Sequence, residues 1–261
     1  MAIRRQLCDR KGIAASLNNL GAVALELSDF ESAQTLWKEC VAIDRELGDR
    51  NGIANSLNNL GNAACMQCDF ASARVLHEEC LTIMRELGDR GGIARSLNNM
   101  GVAAFDQGDY PAARALHGES LAIARELGDQ RGIAETLNNL GNVAHEQGDY
   151  PTARSLHQEG LVIRRELSDR RGIADSLEEL AATVAALGNS LPAGYIWGAA
   201  ERLRGEIGSP LSPNDRPRYD RRVAAARAAL GDDAAFDRAW QEGRALTLEQ
   251  AMELALEKTV E

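Results

Sequence analysis

Apolar and small residues recur along this chain at the spacing expected of amphipathic helices. One set shares a single helix face, with members three or four residues apart or adjacent across a turn: Ile13, Leu17, Leu20, Gly21 and Ala24. A second set that follows shortly after has the same property: Ala33, Leu36, Cys40, Ile43 and Leu47. The segment between residues 12 and 47 is therefore predicted to form two helices.

The same pattern returns every 40 residues. Residues 12–21 reappear with few changes at 52–61, 92–101 and 132–141, and a fifth copy begins at Gly172 and then diverges. Gly108–Asp109 and its counterparts separate the helices, since glycine suits a left-handed helix end and aspartate caps the next helix. Neither helix can bury its apolar face alone, so consecutive helix pairs must stack.

The repeated positions resemble the tetratricopeptide repeat (TPR) in its 40-residue form. The matching residues of the first unit are Leu17, Leu20, Gly21, Ala24, Phe30, Ala33, Trp37 and Cys40. The resemblance covers about residues 3–208 and implies an all-α fold, a right-handed superhelical solenoid of helix-turn-helix repeats. It divides the chain into a remnant of a preceding repeat (1–11), five repeats (12–51, 52–91, 92–131, 132–171 and 172–208) and a C-terminal helical cap (209–261).

The two ends carry further expectations. Residues 3–10 nearly repeat residues 163–170, which suggests a fragment of a longer protein whose uncapped edge exposes Ile13, Leu17 and Leu20 for end-to-end dimerisation. Three helices are predicted in the tail, at 215–230, 233–243 and 247–258, the last beginning with a Thr247–Gln250 capping box. Leu246, Leu248, Met252, Leu254 and Leu256 are expected to cover the last repeat. Residues 197–204, 224–230 and 239–251 also resemble the C-terminal end of bacterial STAND-type ATPases and LuxR-like regulators, which implies a sensor or adaptor region.

Composition excludes several functions. The net charge of −10 argues against nucleic-acid binding, which needs a basic surface. None of the three lysines lies in a P-loop motif, no catalytic motif stands out, and no cofactor is implied, so the chain is not expected to be an enzyme. No apolar run is long enough to span a membrane. The odd number of cysteines, five, suggests reduced thiols in the cytoplasm.

Two apparent chemical motifs have simpler explanations. Cys65 and Cys68 form a single CxxC, but Cys68 replaces a turn glycine and no second pair follows, so packing is favoured over a metal or redox site. His77, His117 and His157 recur every 40 residues, where Trp37 and Trp197 stand in the first and fifth units. Core packing of a flat ring therefore explains these histidines better than metal binding does.

The first helices of a TPR stack line its concave groove. The positions of each first helix that face this groove, opposite its packing face, form what we call the groove stripe. It contains residues 15, 18, 22 and 25 of the first unit and their counterparts every 40 residues. Tandem asparagines occur at 18–19, 58–59, 98–99 and 138–139, the first of each pair on the stripe and the second nearer the packing seam. Asparagine costs a helix roughly 0.5–0.7 kcal/mol relative to alanine, so hydrogen bonds must compensate. We expect the second of each pair to link neighbouring repeats and the first to bind the backbone of an extended peptide, with an inter-repeat ladder as the alternative for both.

Groove-stripe positions that vary between repeats are candidates for specificity. Together with the asparagines they give the candidate binding residues: Asn18, Asn58, Asn98, Asn138, Asn62, Asn142, Asn55, Arg95, Glu135, Phe105 and His145. Acidic residues gather in the fourth and fifth units, at 135, 146, 175, 178 and 179, which predicts a ligand that is basic or neutral there. The expected function is a non-enzymatic scaffold for a peptide or protein in bacterial signalling. The alternative is the ligand-sensing end of a nucleotide-switch transcription regulator.

Overall fold

The computed structural model describes residues 9–212 and 215–257, which contain thirteen helices and no strand. Ten of them form five antiparallel pairs: α1 (Arg10–Glu26) with α2 (Phe30–Leu47), α3 (Arg50–Met66) with α4 (Phe70–Leu87), α5 (Arg90–Asp106) with α6 (Tyr110–Leu127), α7 (Gln130–Glu146) with α8 (Tyr150–Glu166), and α9 (Arg170–Ala186) with α10 (Ser190–Ile207). Three more follow: α11 (Arg216–Leu230), α12 (Asp233–Ala245) and α13 (Leu248–Leu256). The predicted all-α fold of stacked helix pairs is confirmed.

Contacts divide the chain into two compact units, residues 1–127 and 128–261. Helices α1–α6 lie in the first unit and α7–α13 in the second. Most of the predicted remnant of a preceding repeat falls outside the described residues. Among the described residues, no helix is both long and apolar enough to cross a membrane.

Aspartates begin the helices as the turn pattern predicts. The Asp49 carboxylate accepts a hydrogen bond from the Gly52 amide at 2.9 Å, and the Asp29 carboxylate accepts one from Ser32 at 3.1 Å. Gly48 closes α2 with φ +67°, a conformation that side chains disfavour. The 40-residue pattern thus encodes the turns as well as the helices.

In each of the first four helix pairs, the ring of a tryptophan or histidine on the second helix packs against a glycine of the first helix. A Cβ atom added to Gly21 would lie 2.6 Å from the Trp37 indole nitrogen, and one added to Gly61 would lie 2.5 Å from the His77 ring. His77 is fully buried, and burial lowers its pKa to about 4, so its imidazole is neutral at pH 7. The predicted packing role of this slot is confirmed.

The first helix pair differs from the prediction at its edge. Ile13 and Leu17 are buried in a cluster with Cys40 and Ile43 of α2. The prediction that these two residues are exposed is therefore wrong. Leu20 and Val23 are 46% and 51% exposed. Partners within a helix pair cover its inner face, whereas Leu20 lies on the face that packs against a neighbouring pair in later repeats.

The tail helices complete the core of the second unit. The three predicted helices are present, and the Thr247–Gln250 capping box begins α13. The backbones of helices α10 and α12 are in close contact at Gly198. A Cβ atom added at this glycine would lie 2.0 Å from the Trp240 carbonyl oxygen, so only glycine fits there. Met252 is buried in the same cluster, and the other predicted leucines that pack partly buried against it are Leu248, Leu254 and Leu256.

Candidate functional site

Asparagine side chains join the first helices of successive repeats in the first unit. The Asn59 amide of α3 donates to the Asn18 carbonyl oxygen Oδ1 of α1 at 2.9 Å. The Asn99 amide of α5 donates to Asn58 Oδ1 of α3 at 2.6 Å. The second asparagine of one repeat therefore bonds to the first asparagine of the preceding repeat, and the expected linking role of the second asparagine is confirmed at these two positions.

The first asparagines of the first two repeats also take part in this ladder. Asn18 and Asn58 each supply the accepting oxygen, and both side chains are half-buried. Asn98 is buried, with its Oδ1 2.9 Å from Nδ1 of His117. Because these oxygens have intramolecular partners, the alternative of a ladder for both asparagines is supported in the first unit.

The ladder ends where the fifth repeat replaces asparagine by glutamate. Position 179 would supply the donor to Asn138 by the geometry of the earlier repeats, but a carboxylate has no proton to donate. Asn138 Oδ1 is buried without a hydrogen-bond partner, and so is Asn142 Oδ1 one turn later. Asn142 as a whole is 8% exposed. Two orphaned acceptors thus mark the groove stripe of the second unit.

Arginines of the same chain pair with the acidic residues of this stripe. Arg204 of α10 makes a bidentate pair with Glu178, at 2.5 and 2.7 Å, and contacts Asp175 at 2.6 Å. Arg222 of α11 bonds to Glu179 at 2.5 Å and to Glu146 at 2.8 Å. The excess negative charge that predicted a basic ligand is therefore compensated at these four carboxylates, which corrects the reasoning behind that prediction.

Burial and these ion pairs shift the pKa values of the two glutamates in opposite directions. Burial alone would raise the pKa of Glu179, but Arg222 and Arg218 outweigh it and lower that pKa to about 2. Burial dominates at Glu178 and raises its pKa to about 7 despite the opposing effect of Arg204. Glu179 is thus a permanent anion, and Glu178 titrates near neutral pH.

A cleft of about 250 Å³ lies between the first helices of the second unit and α11. Its lining includes both orphaned asparagines, Asn138 and Asn142, together with Tyr219 and Arg222 of α11. The cleft is therefore a polar space inside the predicted groove, and the C-terminal helix forms one of its walls.

The other candidate residues differ in the solvent exposure of their side chains. Asn55, Arg95 and Glu135 are exposed on α3, α5 and α7, and Asn62 is half-buried. Phe105 packs against Tyr110, with ring centroids 5.6 Å apart.

His145 is half-buried, with Nδ1 3.1 Å from the Thr183 hydroxyl oxygen, and burial lowers its pKa to about 4. Asn55 and Arg95 are therefore the predicted residues of the first unit that remain most accessible.

Three residues that pair with the acidic side chains of this candidate site were not predicted from the sequence: Arg204, Arg218 and Arg222. Arg218 and Arg222 are four residues apart on a predicted helix, which places them on one face. That spacing was the only signal, since nothing local indicates which acidic residues they approach. The pairing depends on a sequence separation of 39 to 76 residues.

Cys65 and Cys68 show no sign of a shared site. Both thiols are free, and burial raises the pKa of Cys65 to about 11, which makes it a weak nucleophile at pH 7. No group of three or more His, Cys, Asp or Glu side chains in residues 9–212 and 215–257 is arranged to hold a metal ion.

Stacked helix pairs with a ring-on-glycine core and a linked row of first helices define a helical-repeat protein, a class generally used as interaction scaffolds. A family model described as tetratricopeptide repeat matches residues 12–86, 92–166 and 132–193, more than half of the chain. The chain belongs to the tetratricopeptide repeat family. No curated protein matches the chain.

Solved structures with the same fold come from several organisms. BtubC (BKLC) of P. vanneervenii is 20% identical with a TM-score of 0.62, over 81% of this chain and 94% of that one. A STAND protein with a tetratricopeptide repeat sensor, PH0952 of Pyrococcus horikoshii, is 17% identical with a TM-score of 0.63; the match covers 89% of this chain but only 36% of that one. PilF of Pseudomonas aeruginosa is 18% identical with a TM-score of 0.52, over 91% and 99%.

Proposed function

We propose that the chain is a non-enzymatic scaffold of the bacterial cytoplasm that binds a peptide or protein segment along its first helices. The observation that carries this proposal is the exposure of Asn55 and Arg95 on neighbouring helices that the asparagine ladder holds together. The hydrogen bonds between asparagine side chains hold α1, α3 and α5 in register. The side chains beside this ladder differ from repeat to repeat. A rigid row of varied, accessible side chains suits recognition of an extended segment.

The partner's chemistry follows from these side chains. Asn55 offers an uncharged donor and acceptor, which matches a peptide backbone. Arg95 offers a guanidinium for a carboxylate or a backbone carbonyl of the partner. Asn62 and Phe105 border the same stripe and extend the contact. Asn18, Asn58 and Asn98 support the surface, and their role toward a ligand is limited to amide protons that the ladder does not use.

The second unit is proposed to contribute through Glu135, Asn138, Asn142 and His145. A segment that is basic or neutral suits this end of the stripe, provided that it can compete with the arginines already there. Glu179 already pairs with Arg218 and Arg222. A basic segment would therefore have to displace these arginines in order to bind in this unit.

A second candidate function is the ligand-sensing region of a nucleotide-switch regulator. The observation that favours it is the match of 89% of this chain to a STAND protein described as having a tetratricopeptide repeat sensor. This chain spans about a third of that protein's length, so the switch itself would lie elsewhere. A P-loop domain encoded in the same reading frame would favour this function over a free-standing scaffold.

The scaffold proposal is tested by selecting peptides on the immobilised chain. A random 12-residue peptide library would be panned on the wild type with counter-selection on an Asn55→Ala/Arg95→Ala variant. Enriched peptides, measured by fluorescence anisotropy, should bind the variant at least tenfold more weakly, since each lost hydrogen-bonding group contributes about 0.5–1.5 kcal/mol.

An Arg74→Ala variant serves as the control, because Arg74 is exposed on the second helix α4 and forms an ion pair with Glu78 of the same helix, one turn away. It should bind the peptides like the wild type. Equal binding by Asn55→Ala/Arg95→Ala, or the absence of any enriched peptide, would contradict the proposal.

A further inference from the structure

Helix α11 is attached to the first helices of the second unit by ion pairs. Arg218 and Arg222 lie one turn apart, and both bond to the carboxylate of Glu179, at 3.3 and 2.5 Å. Arg222 is also 2.8 Å from Glu146 of α7. The side chains of Arg222 and Glu179 are 13% and 14% exposed, so this ion pair is largely withdrawn from water. Two arginines of one helix thus bind carboxylates beside the groove stripe of two repeats, the fourth and the fifth.

Apolar packing adds to this attachment, since Tyr219, Val223 and Leu230 pack partly buried against the core, but it is less extensive than in the neighbouring helices. Ala226 is the single buried residue of α11, whereas α10 buries nine residues and the shorter α12 buries three. Gly231 ends α11 in the left-handed region, with φ +70°. An element with few buried apolar contacts opens more readily than the core around it. With one fully buried residue, helix α11 is expected to separate from the repeats more readily than α10 or α12.

The surface under α11 is incompletely satisfied while the helix is docked. The cleft of about 250 Å³ is lined by Asn138, Asn142 and α11 itself. The carbonyl oxygens of both asparagines are buried and lack a hydrogen-bond partner, and Asn142 is 8% exposed. A buried acceptor without a donor is costly. An occupant that reached these oxygens with N–H groups would fit the stripe better than α11 does.

We propose that the groove stripe of the fourth and fifth repeats is a binding site for a partner helix with two basic residues four positions apart, and that α11 is its intramolecular occupant. The partner places its basic pair on Glu179 and Glu146 in place of Arg222 and Arg218, and it adds donors to Asn138 and Asn142. Displacement of α11 then uncovers the site. This inference rests on the proposed scaffold function but concerns a surface separate from Asn55 and Arg95.

The test opens the site in the full chain with an Arg218→Gln/Arg222→Gln variant. Hydrogen exchange followed by mass spectrometry should show at least tenfold faster exchange in residues 216–230 and unchanged exchange in α12. A fluorescein-labelled peptide of residues 215–230 should then bind the variant at least tenfold more tightly than it binds the wild type. The same peptide with glutamine at both arginine positions should bind neither.

An Arg216→Gln/Arg221→Gln variant is the matched control, since both arginines are exposed on the same helix and the charge change is identical. It should keep the wild-type exchange of α11 and exclude the peptide. Continued protection of α11 in Arg218→Gln/Arg222→Gln, or failure of the peptide to bind that opened variant, would overturn the inference.

A measurement on the wild type covers the case in which the variant unfolds, which faster exchange in α12 would reveal. Raising NaCl from 0.05 to about 0.5 M should speed exchange in α11 and leave α12 unchanged, because the docked pairs are largely buried and salt stabilises the charges that opening of α11 exposes to water. Salt-independent exchange of α11 would overturn the inference. Both readouts are independent of peptide selection on Asn55 and Arg95, so failure here and failure of the scaffold proposal are distinguishable.

Discussion

Cys68 is held in the left-handed backbone region, with φ +59°, at the turn between α3 and α4. Gly108 and Gly148 occupy the same place in later repeats with φ +78°. For a residue with a Cβ atom this conformation raises the free energy of the folded state by about 1–2 kcal/mol. Replacement by glycine removes this strain, but glycine also has a more flexible unfolded state, which offsets part of the gain. Cys68→Gly should therefore raise the free energy of unfolding by about 0.5–1 kcal/mol, measured by urea denaturation.

The converse substitution Gly108→Ala provides the control. It should lower the free energy of unfolding by a similar amount, since nothing lies within 4 Å of its Cβ position and the backbone angle alone decides the effect. A destabilising Cys68→Gly would show that the thiol makes contacts that outweigh the backbone preference.

The buried histidines make the fold sensitive to acid. Burial lowers the pKa of His77 to about 4, below the ordinary value of 6.5, so the folded state binds fewer protons than the unfolded state between these values. The resulting stabilisation is complete above pH 6.5 and is lost as the pH falls from 6.5 through 4. His77→Trp should remove this dependence at one site, because Trp37 fills the same slot over Gly21.

The variant and the wild type should be compared by urea denaturation at pH 7.5 and pH 5. The advantage of His77→Trp should grow by about 2 kcal/mol between the two values, the stability difference expected for a shift of this size. A difference that does not change with pH would mean that His77 is accessible to protons in the folded state.

At the scale of elements, glycines allow α12 to replace a further repeat on α10. A Cβ on Gly198 would approach the Trp240 carbonyl oxygen, and one on Gly243 would lie 2.1 Å from the Tyr195 carbonyl oxygen. Backbone atoms cannot move aside as a flexible side chain can. Gly198→Ala should therefore destabilise the chain by about 1–3 kcal/mol and speed hydrogen exchange in α12.

Gly205 of the same helix supplies the control for this packing effect. Nothing lies within 4 Å of its Cβ position, so Gly205→Ala should leave the contact intact and stabilise α10 by up to about 1 kcal/mol through helix propensity. Similar effects of the two substitutions on unfolding would contradict close backbone packing at Gly198.

Elements could be predicted from the sequence where their signals are local or periodic. The helix pairs follow from apolar spacing, and their turns from glycine and aspartate at recurring positions such as Gly48 and Asp49. The attachment of α11 could not be predicted, because Arg222 meets Glu146 across 76 residues and occurs in no repeated copy. Position 179 carried a usable signal, since a glutamate in the place of a ladder asparagine cannot donate a hydrogen bond.

At the scale of the whole molecule, the two units present different groove stripes. In the first unit Asn55 and Arg95 are exposed beside the ladder, and in the second unit α11 lies against Glu179. The accessible surface of each unit therefore follows from what its first helices already contact. Asn18 and Asn58, which the sequence suggested for ligand binding, also accept hydrogen bonds that connect repeats in the first unit.

The stability of a repeat protein is approximately the sum of its repeats and the interfaces between them, so a ladder across interfaces affects the whole stack. Asn58→Ala/Asn98→Ala removes the acceptor of the Asn99 amide and a contact of the buried His117. Leaving such groups unpaired costs about 1–3 kcal/mol each, more than alanine returns in helix propensity. We expect a net loss of about 2–4 kcal/mol in the free energy of unfolding, measured by urea denaturation.

Asn55→Ala separates this loss from the general effect of replacing asparagine in a helix. Asn55 is exposed on α3, three residues before Asn58, and its replacement should be neutral or stabilise the chain by up to about 0.7 kcal/mol. If Asn58→Ala/Asn98→Ala proved as stable as Asn55→Ala, the ladder would contribute nothing to folding. The helix-propensity cost of its asparagines would then have to be offset by a bound partner, which would return these side chains to the recognition surface.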